Sequence, residues 1–129
     1  MLIKILTIIL LLLPATAGCS EDAEMKVRET FDIPKHISLS EVSIRDAVIK
    51  KIPLGTTERN VYRILRELKI GANSFSSFYP ADEKGEIVCR FEFNTKDYGV
   101  VKKHYGVIFQ LDDKRLLKNV IVNEWRTGL

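Results

Sequence analysis

The spacing of apolar residues changes twice along this 129-residue chain, and each change marks a different kind of element. Ile5 to Leu13 is almost unbroken hydrocarbon. Between residues 40 and 70 the apolar positions recur at three- and four-residue intervals, the period of a helix. From Ile87 onward they fall at every second position, the period of a strand with one buried face.

The helical stretch divides in two. Ser40 to Lys51 places Ile44, Ala47, Val48 and Lys51 on one stripe, which ends on a charge. Ser40 is a candidate N-cap, and Ser43 with Asp46 is an alternative at capping-box spacing. Pro53 ends this helix, because the residue before a proline is pushed out of helical conformation. Ile52-Pro53-Leu54-Gly55 is then a tight connector, with Gly55 supplying a backbone conformation that side chains disfavour. Thr56 or Thr57 caps the second helix, predicted to run to about Ile70 and to stop at Gly71. Val61, Ile64, Leu65 and Leu68 share one face of it, and Arg59, Arg63 and Arg66 gather on the other.

Residues 72–85 are rich in Ser, Asn, Asp and Gly and are predicted to be a loop carrying Phe75, Phe78 and Tyr79. Ile87, Cys89, Phe91 and Phe93 then alternate with Val88, Arg90 and Glu92 as a half-buried strand. Asn94 to Lys103 is a polar connection, with Tyr98 to Val101 as a candidate strand extension. Tyr105, Val107, Phe109 and Leu111 form a second alternating face, Asp112 to Arg115 a hairpin turn, and Leu116 to Trp125 a third strand. Helices followed by strands predict an α+β fold: two N-terminal helices packed on one face of a three- or four-stranded antiparallel sheet, in the order αα-βββ.

The opening apolar run changes the picture from fold to address. Lys4 precedes it, and Pro14-Ala15-Thr16-Ala17-Gly18 follows it with small residues, the three-part plan of an export signal. The run is too short for a membrane span, which needs roughly 20 apolar residues. Ala17-Gly18-Cys19 resembles the lipobox of bacterial lipoproteins, with Thr16 where an aliphatic residue is usual. The resemblance implies cleavage after residue 18 and a lipid on Cys19. By likeness to lipoprotein sorting in Gram-negative bacteria, Ser20 after the cysteine implies the outer membrane, periplasmic face. The domain plan is therefore 1–18 signal peptide, 19–39 lipidated N-terminus and tether, and 40–129 folded domain. A flexible tether of about 20 residues spans about 25 Å.

Charge excludes one class of partner. Lys and Arg number 20 against 17 Asp and Glu, and Lys4 is lost with the signal, so no concentrated basic excess points to nucleic acid. Of the two cysteines, lipidation of Cys19 leaves Cys89 alone, which argues against a disulfide framework. Cys89 shares its face with Ile87, Phe91 and Phe93 and so reads as a small core residue. His36 and His104 lie far apart without patterned carboxylates, so no metal site is expected. Asp112 and Asp113 read as turn formers, whose side chains bond nearby backbone N–H groups. No cofactor and no catalytic residue is expected.

Two candidate interaction surfaces emerge. Arg59, Arg63 and Arg66 suit phosphate or an acidic partner, since guanidinium binds such groups bidentately, although a solvated helix face is the commoner explanation. Phe75, Phe78, Tyr79 and Trp125 are either interface anchors or core cover.

Gly55-Thr56-Thr57-Glu58-Arg59-Asn60-Val61, with Leu65 and the later Phe109-Gln110-Leu111-Asp112-Asp113-Lys114-Arg115-Leu116, resembles the small lipoproteins of the SmpA/OmlA (BamE-like) family. Their fold is also that of the β-lactamase inhibitor protein. The resemblance covers roughly Ser43 to Trp125. It implies a lipid-anchored, non-enzymatic binding or scaffold protein that supports an envelope or outer-membrane protein complex. An inhibitor or immunity-type protein that blocks a periplasmic enzyme is the alternative.

Overall fold

The computed structural model describes residues 22–73, 75–94 and 102–127. The expected export signal and Cys19, and residues 95–101 with the candidate strand extension Tyr98 to Val101, lie outside the described residues. Those residues form an α+β unit of three helices followed by four strands. The helices are α1 (Asp22–Phe31), α2 (Glu41–Lys51) and α3 (Glu58–Glu67). The strands are β1 (Ser76–Tyr79), β2 (Glu86–Asn94), β3 (Lys102–Leu111) and β4 (Leu117–Thr127). They form an antiparallel meander in the order β1-β2-β3-β4.

Alternation along the strands produces one buried face. In register, Ile87, Phe109 and Val120 make one row and Cys89, Val107 and Val122 the next. All six are buried, as are Phe91 and Tyr105 beyond them. The helices supply the other half of this core: Val27 and Phe31 from α1, Ile44 and Val48 from α2, Val61 and Leu65 from α3. Fully burying a side chain of this kind contributes about 1.5–3 kcal/mol, so loss of any one row is severe.

Three expectations need correction. The first is the tether. Residues 22–31 are helical, and Val27, Phe31 and Ile33 are buried in the core. Phe31 meets Phe91 edge-on at 5.6 Å, and Arg28 donates to the carbonyls of Pro34 and Ile37 at 2.7 and 2.6 Å. Lys51 closes the same segment on Asp32 at 2.6 Å. The segment looked like a tether because polar residues dominate it and Pro34 breaks it. Two apolar side chains one turn apart, plus Ile33, are enough to dock it. Among the described residues there are thus three helices before the sheet rather than two. The second correction is β1. Ser76 to Tyr79, expected as loop, pair with Phe91 to Val88. Four residues, the first two serines, between Phe75 and Pro80 are too short for a period to declare itself. The third is the end of α3, which closes at Glu67 with Leu68 as cap rather than at Ile70.

Local chemistry explains the helix boundaries. Ser40, not Ser43, caps α2, and the two serines form a reciprocal capping box. Thr57 caps α3 by accepting from the Asn60 amide. Helices α1 and α3 end alike. Asp32 and Lys69 adopt φ +55° and +60°, and each is followed by a buried isoleucine. The Ile33 amide donates to the Arg28 carbonyl and the Ile70 amide to the Leu65 carbonyl, the six-to-one bond of a Schellman motif.

The two described hairpin turns also repeat one another. Asp82 and Asp112 each accept from two amides through Oδ1, those of Lys84 and Glu86 and those of Lys114 and Leu116. The left-handed position is Gly85 in one (φ +76°) and Arg115 in the other (φ +62°). A Cβ on Gly85 would stand 3.1 Å from the Arg115 guanidinium, so the two turns lie side by side.

Lys69 is exposed yet left-handed, which for an L-residue costs about 1–2 kcal/mol, against about 0.4–1 kcal/mol of extra unfolded-state freedom for glycine. Lys69→Gly is therefore expected to raise the stability by about 0.5–1 kcal/mol in urea unfolding. A loss of stability would show that the Schellman geometry is not strained at this residue.

Candidate functional site

Strand alternation that buries one face must present the other. Residues between the core positions form four rows on the face away from the helices, and no described element packs on it. Tyr79, Val88, Ile108 and Ile121 are register partners across all four strands. Tyr79 is 51% exposed, and the three aliphatic residues are half-buried. The flanking row is Ser77, Arg90, Gly106 and Asn123, and beyond it lie Glu92, His104 and Trp125. On the other side lie Glu86, Gln110 and Asn119.

The polar side chains on this face bond one another laterally. Gln110 donates to Glu86 at 3.5 Å, Asn119 donates to Gln110 at 3.4 Å, and Arg45 of α2 donates to Asn119 at 3.3 Å. Such cross-strand pairs stabilise a sheet by about 0.2–1 kcal/mol each. The Arg90 guanidinium sits 5.4 Å from the Tyr79 ring centre, within cation–π range. His104 is held by Thr127 at 2.8 Å and lies 3.7 Å from a Glu92 carboxylate oxygen.

Trp125, the sole tryptophan, has its ring over the backbone of Gly106 and stacks on His104 at 5.2 Å with 4° between planes. A Cβ at position 106 would come within 3.2 Å of that ring. Glycine inside a strand often marks such a close approach. The sequence carries this signal, an isolated glycine in an otherwise regular alternation.

The expected interaction residues do not form one surface. Arg59, Arg63 and Arg66 are exposed on α3, on the helix side. Arg63 pairs with Glu67 at 2.8 Å, an exposed pair contributing about 0.3–0.5 kcal/mol. Arg66 alone approaches the aromatics, in a shallow pocket of about 400 Å³ that Gly71 and Phe78 also line. Phe75 and Phe78 pack against the core, Phe78 beside Tyr62 at 6.2 Å, so these two are core cover. Tyr79 lies on the open face, opposite to them. The open aliphatic row was overlooked because Val88, Ile108 and Ile121 read as the minor partners of an alternating strand.

Two titratable groups are held away from their ordinary range. Cys89 is 1% exposed, and burial pushes its thiol up to about 12, so it stays protonated and unreactive at neutral pH. Burial opposes the charge on Lys103, but its hydrogen bonds with Tyr105 and Glu124 prevail and hold the ammonium above its usual range. Among the described residues, no three His, Cys, Asp or Glu side chains converge as metal ligands. A cleft of about 610 Å³ lies between α2 and the segment before it, floored by Phe31, Ile33 and Ala47 and edged by Lys50. No helix among the described residues is long and apolar enough to cross a membrane.

Comparisons with protein-family models, with curated proteins and with solved structures found no match to this chain.

Two predictions follow from these contacts. Gly106→Ala is expected to push the Trp125 ring toward solvent and red-shift its emission, with a stability change below about 1 kcal/mol because the ring edge can yield. Unchanged emission would mean that the ring does not rest on Gly106. Cys89 gives a pH dependence with a definite sign. In the unfolded chain its thiol ionises near the ordinary value of 9.0, whereas the folded chain keeps the proton to about 12. The unfolded state binds fewer protons in that window, so this contribution is complete below pH 9 and declines as pH rises toward 12. Urea unfolding over this range should show a steeper decline for the wild type than for Cys89→Ala, and equal slopes would contradict the burial of the thiol.

Proposed function

We propose that this chain is a lipid-anchored binding module on the periplasmic face of the outer membrane. It supports a protein complex of the envelope, and the open face of the sheet is the surface it offers. The observation that carries the binding part is the row Tyr79-Val88-Ile108-Ile121 with Arg90 and Trp125 beside it. Apolar patches rimmed by polar groups mark interaction sites on soluble domains. Tyrosine, tryptophan and arginine are also the residues that most often dominate binding energy at interfaces. The polar side chains around the row are engaged with one another, as suits a rim better than a reacting centre. The anchoring part rests on the export pattern that ends at Cys19.

Labelling cells with radioactive palmitate is expected to mark the wild-type protein and not Cys19→Ser; label retained in the variant would remove the anchor. A photo-crosslinking residue placed at Ile121 is expected to trap an envelope protein that the same residue at Arg63 does not. Equal capture from both positions would remove the open face as the binding surface.

A further inference from the structure

The start of α1 determines how the anchored domain stands on its membrane. Only Ser20 and Glu21 separate Cys19 from Asp22, the first residue of the helix. Three residue steps span at most about 10 Å. The helix then rises about 6 Å from Asp22 to Lys26. Lys26 lies over the Phe75 ring at 5.9 Å, and Phe75 bonds through its carbonyl to the Glu92 amide. The Lys26 Cα is therefore within about 16 Å of the Cys19 Cα whatever path the two linking residues take. The far end of the molecule is fixed too. Gly55 and Thr56 bond to Leu117 at the opposite end of β4 from Glu124, whose row contains Phe91. Seven strand residues between those levels amount to about 23 Å.

We infer that the anchored domain lies directly on the bilayer, with the opening turn of α1 and the Phe75 edge against the lipid headgroups and the paired Asp82 and Asp112 turns directed away. This rests on lipidation of Cys19, as proposed above. Charge does not drive the contact. Along the sequence beside the anchor, acidic Glu21, Asp22 and Glu24 are followed by basic Lys26 and Arg28, so the stretch has no strong sign. The short covalent link keeps the α1 end close to the membrane. The orientation should survive salt that shortens the screening length to about 3 Å at 1 M.

The test uses the full lipidated chain in vesicles of phosphatidylethanolamine and phosphatidylglycerol. Its mass first establishes the acyl chains. Met25 and Leu54 are both exposed apolar residues, at 37% and 51%, the first beside the anchor and the second at the far end. Met25→Cys and Leu54→Cys each accept one fluorophore, because the Cys89 thiol is buried and acylated Cys19 has none free. A quencher attached to the lipid headgroup is expected to quench the Met25 site several-fold more than the Leu54 site, in low and high salt alike. Inserting about 20 Gly and Ser residues before Glu21 gives a span of about 25 Å and should remove most of the difference. Equal quenching of the two sites in the acylated protein overturns the orientation and leaves the anchor standing. A mass without acyl chains overturns both.

Discussion

A sheet must end somewhere, and an unpaired edge strand presents amides and carbonyls that need partners. The outer edge of β4 is closed by three devices, and they place most of the remaining structure. The connector lies along it: the Leu117 amide donates to Thr56 and the Leu117 carbonyl accepts from Gly55. Arg45 donates to the Val120 carbonyl at 2.9 Å, and Glu41 accepts from the Glu124 amide at 3.0 Å. The two side chains are one turn apart on α2, so that helix runs beside the strand. Once α2 and the connector lie along β4, α3 begins against the β3–β4 turn, where the Glu58 amide meets the Arg115 carbonyl at 3.0 Å. Helix α1 then fills the core left open over Phe91. The entry Ile-Pro-Leu-Gly-Thr is thus a strand partner as well as a helix start.

The sequence was most legible where a period repeats often enough to be counted. Residues of β2 and β3 alternate, and Ile87, Cys89, Phe91, Tyr105, Val107, Phe109 and Leu111 are buried as that alternation predicts. Helix α3 was legible because its stripe spans two turns and Thr57 caps it. Helix α1 was not, because only Val27 and Phe31 report its buried side in ten residues. The strand β1 was not, because four residues cannot show alternation. Its turn, however, has a readable cue. Asp82-Glu83-Lys84-Gly85 matches Asp112-Asp113-Lys114-Arg115, and both tetrapeptides form hairpin turns. The same comparison explains how arginine can occupy a left-handed position: the turn is held by Asp112, so the side chain at 115 only has to tolerate the backbone.

The candidate surface was only half legible, for a physical reason. Tyr79 and Trp125 stood out as aromatics, but which side of the sheet they occupy depends on register, which a single strand does not contain. Pairing of Ser76 with Phe91 sends Phe78 to the core and Tyr79 to the open face. A slip of one residue would exchange them. The arginines of α3 were correctly grouped on one face, yet that face belongs to the helix layer, on the other side of the sheet from Tyr79.

The open face is small, one aliphatic row with a tyrosine, a tryptophan and an arginine, and by itself it suits a modest affinity. Anchoring changes what affinity is needed. A domain anchored as proposed, by two residues and a lipid, would share a surface layer with any membrane-bound partner, and such tethering gives effective concentrations in the millimolar range for short linkers. Under that condition a contact with a dissociation constant far above nanomolar is occupied most of the time. A 25 Å tether would have left the domain free to tumble and diluted the same face. On the proposed anchoring, the docking of α1 through Val27, Phe31 and Ile33 would bear on binding as well as stability, since it shortens the link between Cys19 and the sheet to a few residues.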